Sequence, residues 1–346
     1  MARLHEEWLT FEASIPPAAP ITDLQERRNN FASYIRHNNS KYLEETEPRL
    51  AEDITITDCS IAARDSINFP VRIYDSGIST PKAIIIFYHG GGLANWDLDT
   101  EDRKIPIPLF QVFCRRISID AETVVFSIGY RLAPENPFPG PVNDAWDGFL
   151  HIAENLKSFI PRYEGSSVDI IVAGTSAGGQ LAAAVSQLAR DYQKDHLLER
   201  KWRLKGACLR SPVTVYGADK NFIPPRFRGM HESWAQEFEA AGLTREGMTA
   251  THDYYMVPDS EKCNPLAYPL WGEFVGLPQT FIQLCGVDIL RDDGACYLQG
   301  LIRSGVAVRA QTYVDLPHVA SVRAPELKVS QQFDNDSVDG IKWLMK

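Results

Sequence analysis

Short runs of apolar, mostly β-branched residues recur along this chain, separated by stretches with helical spacing. The clearest run is KAIIIFYHGGG at 82–92, and ETVVFSIGYR (122–131) and DIIVAG (169–174) have the same texture. A strand that is apolar on both sides must be covered on both faces, as in a parallel sheet packed between helices. PVNDAWDGFLHIAENL (141–156) has helical spacing between two such runs. The sequence therefore predicts an α/β fold with a mostly parallel central sheet and helices on both faces.

Five further segments extend the predicted sheet. Two alternate like half-buried antiparallel strands and three resemble core strands: ITITDCSI (54–61), FPVRIYDS (69–76), KGACLRSPV (205–213), PQTFIQLCGVD (278–288) and VRAQTYVD (308–315).

Two segments depart from this rhythm. Residues 1–50 are polar and helical in texture, and residues 218–262 are charged and lack a buried-strand run. Both contain many aromatic residues: Trp8, Phe11, Phe31, Tyr34, Tyr42, Phe222, Phe227, Trp234, Phe238, Tyr254 and Tyr255. We interpret them as an N-terminal cap segment and a helical cap insertion. The α/β core is then formed by residues 51–217 and 263–346.

The composition restricts the partners that the chain can have. Its 35 Lys and Arg against 45 Asp and Glu give a net charge of −10, whereas nucleic-acid binding needs a basic surface. The chain contains no run of 18 apolar residues, so we predict no membrane span. The acidic N-terminal stretch does not resemble a secretion signal. Six scattered cysteines without a CxxC pair predict reduced thiols, a cytoplasmic protein and no zinc site. We expect neither a metal nor a cofactor.

A serine lies between two glycines where a predicted strand meets a helical run. In GTSAGG (174–179), Ser176 stands between Gly174 and Gly178. Glycine-rich turns often carry serine simply because serine suits turns and helix starts. The same pattern describes a nucleophile elbow, in which a tight turn pushes the serine side chain into a cleft. The pattern alone leaves both interpretations open.

Three consecutive glycines follow another predicted strand, in HGGG at 89–92. Such a stretch lets the backbone approach a ligand closely and direct N–H groups at it. A phosphate-binding loop would end in Gly-Lys-Ser/Thr, and a dinucleotide-binding loop would have a third, spaced glycine; LANW at 93–96 supplies neither. The loop therefore favours an oxyanion hole, whose N–H groups stabilise the charge on a tetrahedral intermediate.

A serine nucleophile needs a base, and one of the eight histidines is placed to act as one. His318 follows the last predicted strand, in the short loop DLPHVA (315–320), from which its ring can reach the edge of the sheet. His196 lies in a polar helical run, and His89 adjoins the glycines and is expected to shape that loop. The remaining histidines, of which the last two lie in the predicted cap insertion, are His5, His37, His151, His231 and His252.

The base in turn needs an orienting carboxylate. Asp288 lies at the carboxyl end of a predicted buried strand, where α/β folds build their sites. Asp292 and Asp293 are better suited to cap the helix that follows, and Asp315 is too close in sequence to His318 to be a good partner. The resulting chain order, serine then aspartate then histidine, is that of the α/β-hydrolase fold.

Five motifs in this order make the chain resemble the hormone-sensitive-lipase family of α/β hydrolases over roughly residues 50–325. They are HGGG (89–92), YRLAPE (130–135), GTSAGG (174–179), the aspartate of GVDILRDDG (286–294) and the late histidine. The resemblance implies a nucleophile at Ser176, triad partners Asp288 and His318, and oxyanion donors Gly91, Gly92 and Ala177. It also implies a cap made of an N-terminal segment and an insertion after the sixth strand.

Some positions depart from the family pattern, and they concern the shape of the pocket rather than the triad. These positions are Leu93, where an aromatic residue is usual, Glu101, where a histidine often stands, Thr175 in place of aspartate, and Val319-Ala320 in place of a glycine and an aromatic residue.

We therefore expect a carboxylester hydrolase that works through an acyl-enzyme on a small-molecule ester, with aromatic cap residues walling its pocket. Such walls favour short acyl groups on a bulky or aromatic alcohol. Alternatives on the same scaffold are a biosynthetic tailoring enzyme (deacetylase, lactonase, thioesterase, acyltransferase or cyclase) and a receptor for small molecules that does not catalyse. The sequence is compatible with a homodimer but does not define the oligomeric state.

Overall fold

A computed structural model describes most of the chain, and an eight-stranded sheet forms its centre. The described residues are 4–15, 23–96, 98, 111–163, 165, 167–196, 201–236, 238 and 243–346. The strands are β1 (Thr55–Ala62), β2 (Asn68–Asp75), β3 (Ile84–Tyr88), β4 (Val124–Ile128), β5 (Val168–Thr175), β6 (Trp202–Arg210), β7 (Gln279–Val287) and β8 (Val308–Pro317).

The sheet has the strand order β1-β2-β4-β3-β5-β6-β7-β8. Strand β2 pairs antiparallel with β1 and with β4, and the strands from β4 to β8 are parallel to one another. This arrangement confirms the predicted α/β-hydrolase fold, with antiparallel strands confined to the N-terminal edge. Parallel neighbours bring their carboxyl ends to the same edge of the sheet, where α/β proteins place their sites.

Helices cover both faces of the sheet. Within the described residues they are α1 (Glu6–Ser14), α2 (Leu24–Glu45), α3 (Arg49–Glu52), α4 (Gln111–Asp120), α5 (Gly140–Glu154), α6 (Leu156–Phe159), α7 (Ala177–Asp195), α8 (Arg245–Tyr255), α9 (Arg291–Arg303), α10 (Ala320–Arg323) and α11 (Lys328–Leu344). None of these described helices has both the length and the apolar character that crossing a bilayer requires.

Alternate residues of β3 belong to two different apolar clusters. Ile84, Ile86 and Tyr88 pack in the cluster that contains residues of α5, α7 and α9. Ile85 and Phe87 pack in the cluster that contains residues of α4 and α11. Because successive side chains of a strand point to opposite faces, a strand buried on both faces must be apolar throughout. This burial explains the uninterrupted apolar run of β3.

The two segments outside the core differ in structure. Residues 1–50 are helical where they are described, as predicted. The prediction of a helical insertion at 218–262 is wrong for most of that segment, because α8 is its single α-helix among the described residues. The rest consists of short 3-10 turns and irregular chain. Prolines at 224, 225 and 258 lack an N–H donor and disfavour continued helix, which gives a physical reason.

Candidate active site

Ser176 lies in the one-residue connection between β5 and α7. Its backbone has φ 58° and ψ −119°, a conformation that residues other than glycine rarely adopt. Its N–H donates to the carbonyl oxygen of Arg210 on β6 at 2.8 Å, and its carbonyl oxygen accepts from Val213 N–H at 3.2 Å. These hydrogen bonds hold the strained turn. The serine lines a cavity at the carboxyl edge of the sheet.

Gly178 is required because the first turn of α7 lies against the end of β3. A Cβ atom at Gly178 would be 2.0 Å from the carbonyl oxygen of Tyr88 and 2.5 Å from that of His89. Both distances are far below van der Waals contact, so this position excludes any side chain. The second glycine of the serine motif therefore brings the start of α7 next to the glycine-rich loop.

His318 lies within hydrogen-bond distance of both predicted partners. Its Nε2 is 2.9 Å from Ser176 Oγ, and its Nδ1 is 2.7 Å from Asp288 Oδ2. A carboxylate oxygen accepts, so Nδ1 donates to Asp288 and Nε2 is left to accept from the serine hydroxyl. The structure thus brings these three side chains together, although 142 positions separate the serine from the histidine in sequence.

Asp288 is held in place from two sides. It directly follows β7, and its side chain is fully buried. Oδ1 accepts from the backbone N–H of Leu290 at 2.9 Å, which leaves Oδ2 directed at the imidazole. Asp315 has no place in this arrangement: its carbonyl oxygen accepts from the N–H of His5, and its carboxylate is not the one that contacts His318.

The prediction that Asp292 and Asp293 cap the following helix is wrong. Helix α9 already begins at Arg291, so both aspartates lie in its first turn. Asp292 Oδ2 accepts from the N–H groups of Glu232 and Ser233, each at 2.7 Å. Asp293 accepts from the backbone N–H of Thr214 at 3.0 Å, and its Oδ1 lies 2.8 Å from His231 Nε2. These carboxylates tether the chain that leaves β6 instead of capping α9.

The three residues predicted as oxyanion donors lie near the serine. Gly91 and Gly92 line the same cavity as Ser176 and His318, and Ala177 is the first residue of α7. None of these three N–H groups donates to an acceptor among the described residues. Free N–H groups at a helix start or in a glycine-rich loop can bind negative charge, which is the property that an oxyanion hole needs.

Hydrogen bonds and stacking fix the conformation of the glycine-rich loop. Asn95 donates to the carbonyl oxygen of Gly91 from its backbone N–H at 2.9 Å and from Nδ2 at 3.0 Å. The hydroxyl of Tyr130 donates to the carbonyl oxygen of His89 at 2.8 Å, and the two rings stack with centroids 4.2 Å apart. Burial lowers the pKa of His89 to about 4, so this histidine is neutral and shapes the loop.

The cavity that contains the serine has a volume of about 320 Å³, at the lower end of the range for small-molecule sites. Its lining is mixed, with apolar, hydroxyl and cationic side chains. Within the described part of the chain, no three His, Cys, Asp or Glu side chains are grouped as metal ligands would be.

Comparison with known proteins assigns the family. The sequence profile of the alpha/beta hydrolase fold matches residues 85–322. The chain belongs to the α/β hydrolase family. Carboxylesterase NlhH of Mycobacterium tuberculosis is 30% identical over 278 residues, which are 79% of this chain and 77% of NlhH. The hydrolase is therefore of the hormone-sensitive-lipase-like, carboxylesterase type, as its motifs indicate.

Two further similarities support this assignment. Versiconal hemiacetal acetate esterase stcI of Emericella nidulans is 29% identical to the hydrolase and aligns over 84% of this chain and 94% of the esterase. The crystal structure of vibralactone cyclase superimposes with a TM-score of 0.85 over 99% of this chain and 95% of the cyclase. At 24% identity, the second similarity concerns the fold.

The expectation that aromatic cap residues wall the pocket of the hydrolase is wrong. Among the described residues, the lining from the two outer segments consists of Arg27, Leu243, Met248 and Thr251. Several described aromatic side chains of these segments pack against the core instead: Trp8 lies in an apolar cluster with Val287, Tyr255 contacts Phe138, and Trp234 donates to Asp293. The side chain of Phe31 lies outside the described residues, and so does all of Glu101.

Helix α2 is fastened across the cavity by contacts that sequence patterns did not indicate. Arg28 Nε donates to the carbonyl oxygen of Ala94 at 2.7 Å, and Nη2 donates to that of Ala133 at 2.8 Å. Further along the helix, Tyr34 Oη and Asn38 Nδ2 donate to the carbonyl oxygen of Arg323 at 3.3 and 3.0 Å, and Arg323 lines the cavity. The helix thus bridges from the glycine-rich loop to the segment after His318.

The insertion contacts the glycine-rich loop directly. A Cβ atom at Gly92, whose φ is +64°, would be 2.4 Å from Cγ2 of Thr251 on α8. The third glycine of HGGG is therefore required by a close contact with the insertion as well as by its backbone conformation. Local sequence could not reveal this contact, because 159 positions separate the two residues.

Proposed function

We propose that the hydrolase cleaves short-acyl esters of a bulky or aromatic alcohol through a covalent acyl-enzyme on Ser176. The observation that carries this proposal is the hydrogen-bonded series Ser176 Oγ, His318 and Asp288 at the edge of the cavity. A serine hydroxyl with an oriented imidazole is the arrangement that activates oxygen as a nucleophile.

The proposed reaction has two steps. Ser176 Oγ attacks the ester carbonyl while His318 Nε2 takes the hydroxyl proton, and the N–H groups of Gly91, Gly92 and Ala177 stabilise the oxyanion. The C–O bond to the alcohol then breaks, and the imidazolium returns the proton to the leaving alkoxide. Water, deprotonated by the same imidazole, attacks the acyl-enzyme and releases the carboxylic acid with regeneration of the serine.

The preference for a short acyl group is supported by the size of the cavity and by a relative. A cavity of about 320 Å³ accommodates a small ester more readily than a long acyl chain. The name of the Emericella nidulans relative describes an acetate ester as its substrate. Release of an acetyl group from a biosynthetic intermediate is therefore a second candidate function within the same chemistry.

Residues 1–50 and 218–262 are proposed to act as the cap of this site. Arg27 from the first segment and Leu243, Met248 and Thr251 from the second contribute to the cavity lining. Their side chains are aliphatic, hydroxylic and cationic, so the preference for a bulky alcohol does not rest on aromatic walls.

Labelling followed by a series of substrates tests this function. A fluorophosphonate probe should label the wild-type protein and not Ser176→Ala. A p-nitrophenyl series from acetate through butyrate and octanoate to laurate should then give the highest kcat/KM at acetate or butyrate. A maximum at laurate would overturn the short-acyl preference. Faster turnover of ethyl acetate than of aryl acetates would overturn the preference for a bulky alcohol.

A further inference from the structure

We propose that the ester accepted at this site carries a carboxylate group, which binds to the guanidinium group of Arg27. The inference rests on the proposed ester hydrolysis at Ser176 and deepens it by naming a substrate class. Its starting point is the charge of the cavity lining. Arg27 and Arg323 both line the cavity, and no carboxylate is found among its described lining residues.

Two adjacent arginines of α2 differ sharply in their contacts. Arg28 uses its guanidinium to bind the carbonyl oxygens of Ala94 and Ala133 and the carboxylate of Glu135. Arg27 makes no side-chain hydrogen bond or ion pair with a described residue, and its Nη2 is buried without a hydrogen-bond partner. The guanidinium group of Arg27 instead lies over the ring of Tyr254, with Cζ 5.4 Å from the ring centroid.

An unpaired buried donor is costly, and a charged one more so. Leaving such a group without an acceptor costs about 1–3 kcal/mol or more. In Arg28 the same kind of side chain is fully used to fasten the helix, whereas in Arg27 it faces the cavity with its donors unused. An acceptor on the substrate would remove this cost, and the ring of Tyr254 already restricts where the guanidinium can lie.

Arg323 contributes positive charge but is already engaged. Its guanidinium lies 5.3 Å from the ring of Trp8. Burial lowers the pKa of Arg323, and the nearby Tyr34 and Glu12 oppose this shift. The positive charge of Arg323 is therefore partly balanced by its own surroundings. Of the two arginines among the described lining residues, Arg27 is therefore the one whose guanidinium group can bind a ligand.

A carboxylate fits these features better than a larger or more highly charged anion. Guanidinium groups bind carboxylates through two parallel N–H···O hydrogen bonds, which suits a planar group beside an ester in a cavity of about 320 Å³. The chain as a whole carries a net charge of −10, so it repels polyanions at long range. Recognition must therefore come from local contacts inside the cavity.

Matched anionic and neutral esters test the proposal in two arms. One arm places the carboxylate in the acyl part (p-nitrophenyl hemiglutarate against p-nitrophenyl pentanoate). The other places it in the alcohol part (4-acetoxybenzoate against 4-acetoxybenzamide). The quantity compared is the ratio of kcat/KM for the anionic ester to that for its neutral partner, after subtraction of the uncatalysed rate. Dependence on Arg27 in either arm supports the proposal.

Arg27→Gln should lower this ratio by roughly 10- to 100-fold in the arm that matches the natural substrate, as expected for loss of a hydrogen bond between charged groups. Arg27→Lys should restore part of it, because lysine keeps the charge but not the planar fork. The matched control is Arg226→Gln, which removes the same charge from an exposed position outside the cavity lining. A ratio within twofold of wild type for Arg27→Gln in both arms would overturn the proposal.

A binding measurement separates this inference from the proposed catalysis. In the Ser176→Ala background, calorimetry with 4-acetoxybenzoate and p-nitrophenyl hemiglutarate should show tighter binding when Arg27 is present than when Arg27→Gln is added. If wild type hydrolyses no ester but this difference persists, the proposed function fails and the carboxylate site stands. If neutral esters are cleaved through Ser176 while neither rates nor binding depend on Arg27, the function stands and the carboxylate site is overturned.

Discussion

Gly178 lies directly against Tyr88: a Cβ atom on the glycine would be 2.0 Å from the carbonyl oxygen of the tyrosine. This contact joins the first turn of α7 to the end of β3. It therefore sets the distance between the serine turn and the glycine-rich loop, which in the proposed mechanism act together on the oxyanion. A side chain at position 178 would push them apart.

The first prediction concerns this contact. Gly178→Ala should lower the free energy of unfolding by about 1–3 kcal/mol, because the methyl group overlaps backbone that cannot move away easily. It should also lower kcat/KM for p-nitrophenyl butyrate. Urea denaturation and steady-state kinetics measure the two effects. Gly229→Ala is the matched control, since a Cβ there meets nothing within 4 Å. Equal stability of the two variants would contradict the account.

A second prediction separates the two candidate acids. Asp288→Asn should lower kcat by about 10⁴-fold with little effect on folding, because an amide no longer selects the imidazole tautomer that accepts from Ser176. Asp315→Asn should leave kcat close to wild type, since this carboxylate does not contact His318. Steady-state kinetics with circular dichroism as a check on folding gives the answer. If Asp315→Asn proves the more damaging substitution, the assignment of the acid is wrong.

The anchoring of α2 gives a third prediction. Arg28→Leu removes the donors for two backbone carbonyl groups, one next to the glycine-rich loop and one in the YRLAPE motif. The free energy of unfolding should fall by about 1–3 kcal/mol, and kcat/KM should fall with it. Gln25→Ala on the same helix is the control, because the Gln25 side chain donates to Asn29, one turn away on the same helix. A neutral effect of Arg28→Leu would show that α2 does not depend on this anchor.

Buried histidines predict how stability changes with pH. Burial lowers the pKa of His252 to about 3 and that of His89 to about 4. In the unfolded chain both titrate near ~6.5. Below that pH the unfolded state binds protons that the folded state does not, so the free energy of unfolding falls as pH falls, by up to about 1.4 kcal/mol per pH unit for each histidine.

Urea denaturation between pH 7 and pH 5 measures this slope. His252→Gln should reduce the loss of stability per pH unit, whereas His196→Gln, at an exposed position, should leave it unchanged. An identical slope in wild type and His252→Gln would contradict the assignment of a neutral, buried His252.

The sheet could be predicted from sequence because a strand that is buried on both faces needs an uninterrupted run of apolar residues. In β3 every residue is buried and apolar, whereas most residues of the edge strand β1 are exposed or half-buried. The geometry at Ser176 was also expected from sequence, since a tight turn between strand and helix demands glycines at fixed spacing. Such local demands appear within a few residues of the feature that imposes them.

Features that depend on distant contacts were not predictable in the same way. The carboxylates of Asp292 and Asp293 resemble helix caps in sequence, but they bind backbone groups about 60–80 positions away. Arg27 and Arg28 are adjacent in an ordinary polar helix, and nothing local distinguishes the cavity cation from the anchor. The aromatic residues of the outer segments suggested pocket walls, whereas in the structure several of them pack against the core of the protein.

The proposal that Ser176 forms an acyl-enzyme is tested most directly by rapid mixing with p-nitrophenyl butyrate, followed by acid quench and peptide mass spectrometry. We expect a burst of p-nitrophenol approaching one equivalent per chain where deacylation is slower than acylation, and a butyryl group on the peptide that contains Ser176. Ser176→Ala should show neither. A butyryl group on another residue, or full turnover by folded Ser176→Ala protein, would contradict the account.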